Sequence, residues 1–204
     1  MVILLPILYR LPSLVIAVTL HEYVKAAASW RLGDSLPRLN RRITLNPLKH
    51  IDLLGAMCIA LFGFGWGKPV ETSPMYYRSR KQATVIVYAL PCVVNLVVGL
   101  LFGFLAYIVG EIPMPEIAQS IAHGLIFQIA FINIAMALFN IIPIYPLNGE
   151  RIFALFLSPE SRVKMASYQR WFQLFLICFI VLGFAATVFE PLIYGILNFA
   201  RITA

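Results

Sequence analysis

Apolar residues do not alternate with polar ones along this chain. They come in long unbroken runs, separated by short basic or proline-rich stretches. From Leu11 to Leu32 nearly every position is aliphatic, aromatic or small, enough for a bilayer-crossing helix, and Gly33-Asp34 supplies a stop. Ser35 to Asp52 is basic and broken by Pro37 and Pro47, which reads as a cytoplasmic loop or short strands. Leu53 to Phe64 is apolar but about twelve residues long, too short to span. It is expected to be re-entrant or interfacial, with Gly63, Gly65 and Gly67 permitting tight backbone turns. Polar, basic surface returns from Lys68 to Lys81.

A second span is expected from Gln82 to Gly110, kinked where Pro91 removes a backbone hydrogen bond. Glu111 to Glu116, punctuated by Pro113 and Pro115, suits a loop on the opposite side. The third span runs from Ile121 to Ile142, breaks at Pro143 and Pro146, and resumes as Leu147-Asn148-Gly149-Glu150-Arg151 and an apolar piece to Leu157. Broken helix with polar residues at membrane depth is tolerated only where it lines a cavity or packs on protein. The fourth span covers Trp171 to Val188, and Leu192 to Phe199 is expected at the interface. The pattern therefore predicts an all-α polytopic membrane protein, one domain over residues 1–204. It has about four transmembrane helices and a short re-entrant or strand-like insertion after the first.

Composition agrees. Of 204 residues, 61% are hydrophobic and 12% charged, against about 45–50% and about 25% in soluble domains. The N-terminus is not read as a signal peptide, since it lacks a basic start and Pro6, Arg10 and Pro12 interrupt its apolar run. A net charge of +7 would suggest nucleic acid only if its location were ignored. Nine of the sixteen Lys and Arg residues lie between Arg31 and Lys81, and three more between Arg162 and Arg170. The positive-inside rule then puts loops 33–81 and 158–170 in the cytoplasm and both termini outside. No nucleic-acid recognition module accompanies the charge. Cys58, Cys92 and Cys178 stand singly in apolar stretches and are read as packed thiols.

One stretch breaks the hydrophobic logic. His21, Glu22 and Lys25 lie inside the first span, where each ionisable group costs roughly 2–3 kcal/mol or more unless paired or wetted. His21 and Lys25, four apart, share a helix face. The layout is that of H-E-x-x-H, two zinc-binding histidines and a water-activating glutamate, with lysine at the second histidine. Asn148, on the resumed third span, is expected at the same depth. Taken alone, the three charges also fit an internal ion-pair cluster, or a proton relay in a small ion-coupled transporter.

With these residues the chain resembles the site-2 protease family of intramembrane zinc metalloproteases. His21-Glu22-Tyr23 and Leu32-Gly33-Asp34 look like that family's zinc helix and its exit. Leu45-Asn46-Pro47-Leu48-Lys49-His50-Ile51-Asp52 and Gly65-Trp66-Gly67-Lys68-Pro69-Val70 are similar to the segments that follow. Pro91 and Asn95 match a glycine-proline pair and an asparagine on the next core helix, with Leu90 in place of the glycine. Asn140-Ile141-Ile142-Pro143-Ile144-Tyr145-Pro146-Leu147-Asn148-Gly149 looks like the segment supplying the third ligand, an aspartate that is Asn148 here.

The resemblance implies a zinc site of two histidines and an aspartate, with the glutamate as base. This chain keeps His21 as ligand and Glu22 as base, and carries Lys25 and Asn148 at the other two ligand positions. Lysine has no lone pair to give when charged, and an amide is a weaker zinc donor than a carboxylate. Zinc is therefore expected to bind weakly or not at all. The implied function is a pseudoprotease that still binds transmembrane segments of membrane-anchored proteins; the alternative is an active protease with an unorthodox site. Asn95 and Asn140 are expected to line the substrate groove or bridge helices. His50 and Asp52 fit the ordinary loop pattern rather than replacement ligands, and His123 is read as interfacial.

Overall fold

The computed structural model describes residues 4–199. Among them every regular element is helical. Three helices are long and apolar enough to cross a membrane, and a bent pair makes a fourth span if taken as one.

The first, α1 (Leu4–Arg31), starts before the expected Leu11 and carries Pro12 within it. Leu14, Ala17, Val18, His21, Lys25 and Ala28 are all buried. That spacing of three and four makes one stripe of the helix, so the ionisable residues share the face that carries the packing. Gly33 (φ 114°) turns the chain out of α1. Buried Asp34 fixes the exit, accepting from Ser29 Oγ at 2.9 Å, Leu36 N at 3.0 Å and Ser73 N at 2.7 Å.

Residues 35–52 form a short helix, α2 (Leu36–Leu39), and a 3-10 turn at Pro47–Lys49. The short strands expected here are absent. Pro37 and Pro47 each start a helical turn, where a missing N–H costs nothing. The short apolar segment is α3 (Leu53–Phe62), capped by Asp52 Oδ1 on Gly55 N at 2.9 Å and ended by Gly63 (φ 85°).

From Gly63 the chain runs extended back across α3 and α1 without a ladder partner, so it is no strand either. Gly65 and Gly67 serve close approach rather than turning. A Cβ on Gly65 would strike the Gly55 carbonyl, and one on Gly67 would lie 2.8 Å from Val18 Cγ1 and 3.1 Å from Glu22 Cγ. Phe64 and Trp66 are driven into the core, with the Phe64 ring about 6 Å from those of Phe131, Phe139 and Phe189.

The second span, α4 (Arg80–Glu111), passes through Pro91 as one helix. It lies along α5 (Glu116–Phe139), the central element, in which every residue from Ile129 to Ala137 is buried. At Gly99 the two helices touch: a Cβ there would sit 2.5 Å from Ile134 Cγ1 and 3.0 Å from the Ala130 carbonyl. Small residues at such contacts let helices approach within the bilayer.

After α5 the chain turns back through residues 140–147 into α6 (Asn148–Phe153), then α7 (Pro159–Ser167). The stretch expected as the fourth span is a bent pair of helices. It divides into α8 (Gln169–Val181) and α9 (Phe184–Phe199), bent by 68° at the break. Gly183 (φ 82°) is the hinge, and Leu192 to Phe199 belongs to α9 rather than lying apart. Phe189 and Tyr194 of α9 pack on Phe139 and Phe131 of α5, which sets the bend.

Candidate functional site

Local geometry assembles the site from four helices, α1, α4, α5 and α6. His21 is fully buried on α1 and both ring nitrogens are engaged. The orientation follows from backbone carbonyls. Asn95 Nδ2 faces the Ala17 carbonyl at 3.2 Å and Asn133 Oδ1 at 3.2 Å, so Asn95 Oδ1 is left to face His21 Nδ1 at 3.2 Å. His21 Nδ1 therefore carries the proton and Nε2 carries the lone pair. Asn148 Nδ2 lies 2.9 Å from that Nε2 and 2.9 Å from the Tyr88 carbonyl, donating one hydrogen to each. Asn133 closes the chain by donating to the Ile129 carbonyl at 2.8 Å.

Glu22 and Lys25 form a second unit. Lys25 Nζ is 2.8 Å from Glu22 Oε1, with both side chains buried. Glu22 Oε2 accepts from Val70 N at 3.0 Å, so the extended segment beyond Gly67 completes the carboxylate's partners. The Lys25 ammonium also lies 5.8 Å from the centre of the Tyr88 ring. Lys25, Tyr88 and Asn148 line a polar cavity of about 340 Å³, bordered by Val70, Glu150 and Arg151. A second, apolar cavity of about 420 Å³ is also lined by Tyr88, between Cys92 of α4, Asn140 and Pro143 of the turn and Gly149 of α6.

The remaining predicted residues are placed as follows. Asn95 bridges three helices. The Asn140 side chain donates to Met136 O of its own helix at 3.0 Å, and the bridging there is done by its carbonyl, which accepts from Gly149 N at 2.8 Å. His50 is buried beside the Thr44 carbonyl at 2.7 Å, and burial lowers its pKa from the usual histidine value. Asp52 caps α3. His123 is exposed and stacks on Phe127. Cys58 and Cys92 are packed thiols, whereas Cys178 is exposed on the outer face of α8, a correction to the packed reading. Two participants were not anticipated: Asn133, whose signal was an amide in an otherwise apolar run, and the Tyr88 carbonyl, which no side chain advertises.

The residues do not fit a zinc ion. A ligand set needs lone pairs converging on one point. Within the cluster His21 Nε2 is the ring lone pair available, and an asparagine N–H occupies it. Lys25 offers only N–H donors, and no group of three or more His, Cys, Asp or Glu side chains able to hold a metal occurs among the described residues. A hydrogen-bond donor sits at His21 Nε2, and an ammonium sits beside Glu22.

The chain is similar in sequence to known proteins. The chain is 31% identical over 176 residues to "Putative zinc metalloprotease YwhC" of Bacillus subtilis (strain 168), covering 84% of this chain and 80% of that one. It is 26% identical over 190 residues to "Putative zinc metalloprotease Rip2" of Mycolicibacterium smegmatis, covering 91% of this chain and 71% of that one. The Rip2 protein of Mycobacterium tuberculosis, under the same description, is 24% identical over 167 residues. No family profile matches the chain. No solved structure matches it either.

Proposed function

The chain belongs to the site-2 protease family of intramembrane zinc metalloproteases, and from that premise we propose that it is a silent member, which binds transmembrane segments without cutting them. The observation that carries this reading is the contact of Asn148 Nδ2 with His21 Nε2 at 2.9 Å. An N–H donor and a metal ion are alternatives at one lone pair, so this arrangement is internally satisfied only without zinc. The Lys25–Glu22 pair supports the same reading, because a buried carboxylate that has lost its cation needs another positive charge. No hydrolytic step is assigned to Glu22, whose two oxygens are both committed.

Binding is a separate matter from cutting. The polar and apolar cavities on either side of Tyr88 together offer an unwound backbone polar partners and apolar side chains a place to lie. The partner is a single membrane-spanning segment, shielded or held rather than processed. The basic loops 33–81 and 158–170 face the cytoplasm in this reading, and both termini face the other side.

Metal content tests the proposal. Mass spectrometry of the full chain, purified without chelator, is expected to find well below one zinc per chain. The double substitution Lys25→His with Asn148→Asp is expected to take up zinc. Stoichiometric zinc in the unsubstituted chain, surviving dialysis and lost on His21→Ala, would sink the silent reading. Capture of a photo-crosslinkable transmembrane peptide in intact form separates binding from the metal question.

A further inference from the structure

We infer that the turn after α2 is a binding site for the phosphate headgroup of an anionic phospholipid, held by Arg38, Arg41 and Lys49. This site lies outside the His21 cluster and stands whether the chain cuts its partner or only holds it.

The three cations line a recess of about 350 Å³, together with Ile43, Thr44 and Asn46. All three are exposed, and no ion pair neutralises any of them among the described residues. The nearby carboxylates are otherwise engaged: Glu71 accepts from Asn40 Nδ2 at 3.3 Å, and Asp52 caps α3. Three like charges around one recess repel each other, so their arrangement makes sense with an anion between them.

The backbone at Arg41 gives a second, independent sign. Arg42 N bonds to the Pro37 carbonyl at 2.8 Å and Arg41 N to the Arg38 carbonyl at 3.0 Å, closing a Schellman turn after α2. Arg41 occupies its left-handed position at φ 53°, the one non-glycine residue with positive φ among those described. Glycine is the usual occupant, and a bulky side chain is disfavoured there. A strained arginine implies a use for its side chain. The surrounding loop is fixed, not adaptable. The Arg42 guanidinium donates to the Lys68 carbonyl at 2.6 Å, and His50 is pinned against Thr44.

The anion's source follows from the end of the first span and from the exposed apolar residues beside the recess. Trp30, 41% exposed, lies at the end of α1, where tryptophans of spanning helices favour the membrane–water interface, and the Arg38 guanidinium lies 5.4 Å from its ring centre. Leu39, Leu45 and Leu48, each next in sequence to a residue that lines the recess, are 72%, 64% and 81% exposed. Leucines so placed suit the border between headgroups and acyl chains, and a free phosphate in water would have no use for them.

The test titrates the detergent-purified full chain with phosphatidylglycerol or phosphatidylcholine and reads retained lipid by native mass spectrometry. Phosphatidylglycerol should be held about tenfold more tightly, and Arg41→Gly should weaken it about fivefold, near the contribution of one surface cation. Because glycine suits φ 53°, Arg41→Gly should keep or raise the melting temperature, which separates lost binding from lost folding. Lys49→Gln should weaken retention similarly, and Arg170→Gln, on α8, should not. Equal retention of the two lipids would overturn the inference, as would undiminished phosphatidylglycerol binding by Arg41→Gly and Lys49→Gln. Displacement of the lipid by millimolar inorganic phosphate would assign a soluble anion instead and overturn it too.

Discussion

At the scale of single residues, the site is two closed units: the amide chain around His21, and the Lys25–Glu22 pair. Lys25 and Glu22 are mutually dependent. Removing the ammonium alone leaves Glu22 with only the Val70 N–H, in a place where stranding one member of a buried pair costs about 3–5 kcal/mol. Lys25→Met should therefore lower the melting temperature, and adding Glu22→Gln should recover much of the loss. A thermal cycle over the four variants reads the coupling, and additive effects would mean the two side chains do not share a site. Asn148→Asp by itself makes a sharper case. It swaps two N–H donors for lone pairs facing two acceptors, His21 Nε2 and the Tyr88 carbonyl. An expected loss of about 1–3 kcal/mol should shrink when Lys25→His is added and zinc supplied, with thermal shift against zinc concentration as the measurement. The charged pair was legible in the sequence, since residues three apart on a helix meet. The role of Asn148 as a donor was not, because it depends on which way an amide faces, and that is set by carbonyls distant in sequence.

At the scale of elements, glycines decide the turns that the runs of apolar residues leave open. Gly149 and Gly183 make a useful contrast. A Cβ on Gly149 would collide with the Ile141 and Ile142 carbonyls, both backbone, so the turn that returns α6 to the core cannot relax around it. Gly183 has a positive φ but nothing within 4 Å of the added atom. Gly183→Ala should cost only the left-handed backbone penalty, about 1–2 kcal/mol, and Gly149→Ala distinctly more, with displacement of Asn148. Circular dichroism melts of both variants check the order; equal losses would mean the α5–α6 turn is not rigid. The spans themselves were legible because long apolar runs admit one reading in lipid. The break in the fourth was not, since Gly183 sits in an apolar run and the bend comes from α9 packing back on α5. The segment from Gly65 to Val70 was equally opaque: its extended path is fixed by close contacts with α1 and α3, not by its own propensity.

At the scale of the whole molecule, the basic loops and the His21 cluster should lie toward one face of the membrane. The chain leaves α1 at Arg31, enters α4 at Arg80, and leaves α5 at Asn140, so these three points share an end of the bundle. That end carries nine of the sixteen cations in residues 31–81, and the opposite end carries Glu111 and Glu116. Cationic loops are retained on the cytoplasmic side, which fixes the direction of every span once one loop is assigned. The consequence is testable in intact cells with a chain in which Cys58, Cys92 and Cys178 are replaced by alanine. A cysteine at Glu116 should react with a membrane-impermeant maleimide added outside, while one at Arg41 or Arg80 should react only after the cells are opened. Both arms are needed, because an unreactive cysteine on its own could simply be buried. The reverse pattern would put the Lys25 cavity and the Arg38–Lys49 recess on the outer face, where anionic lipid is scarcer and a partner's segment would enter from the other side.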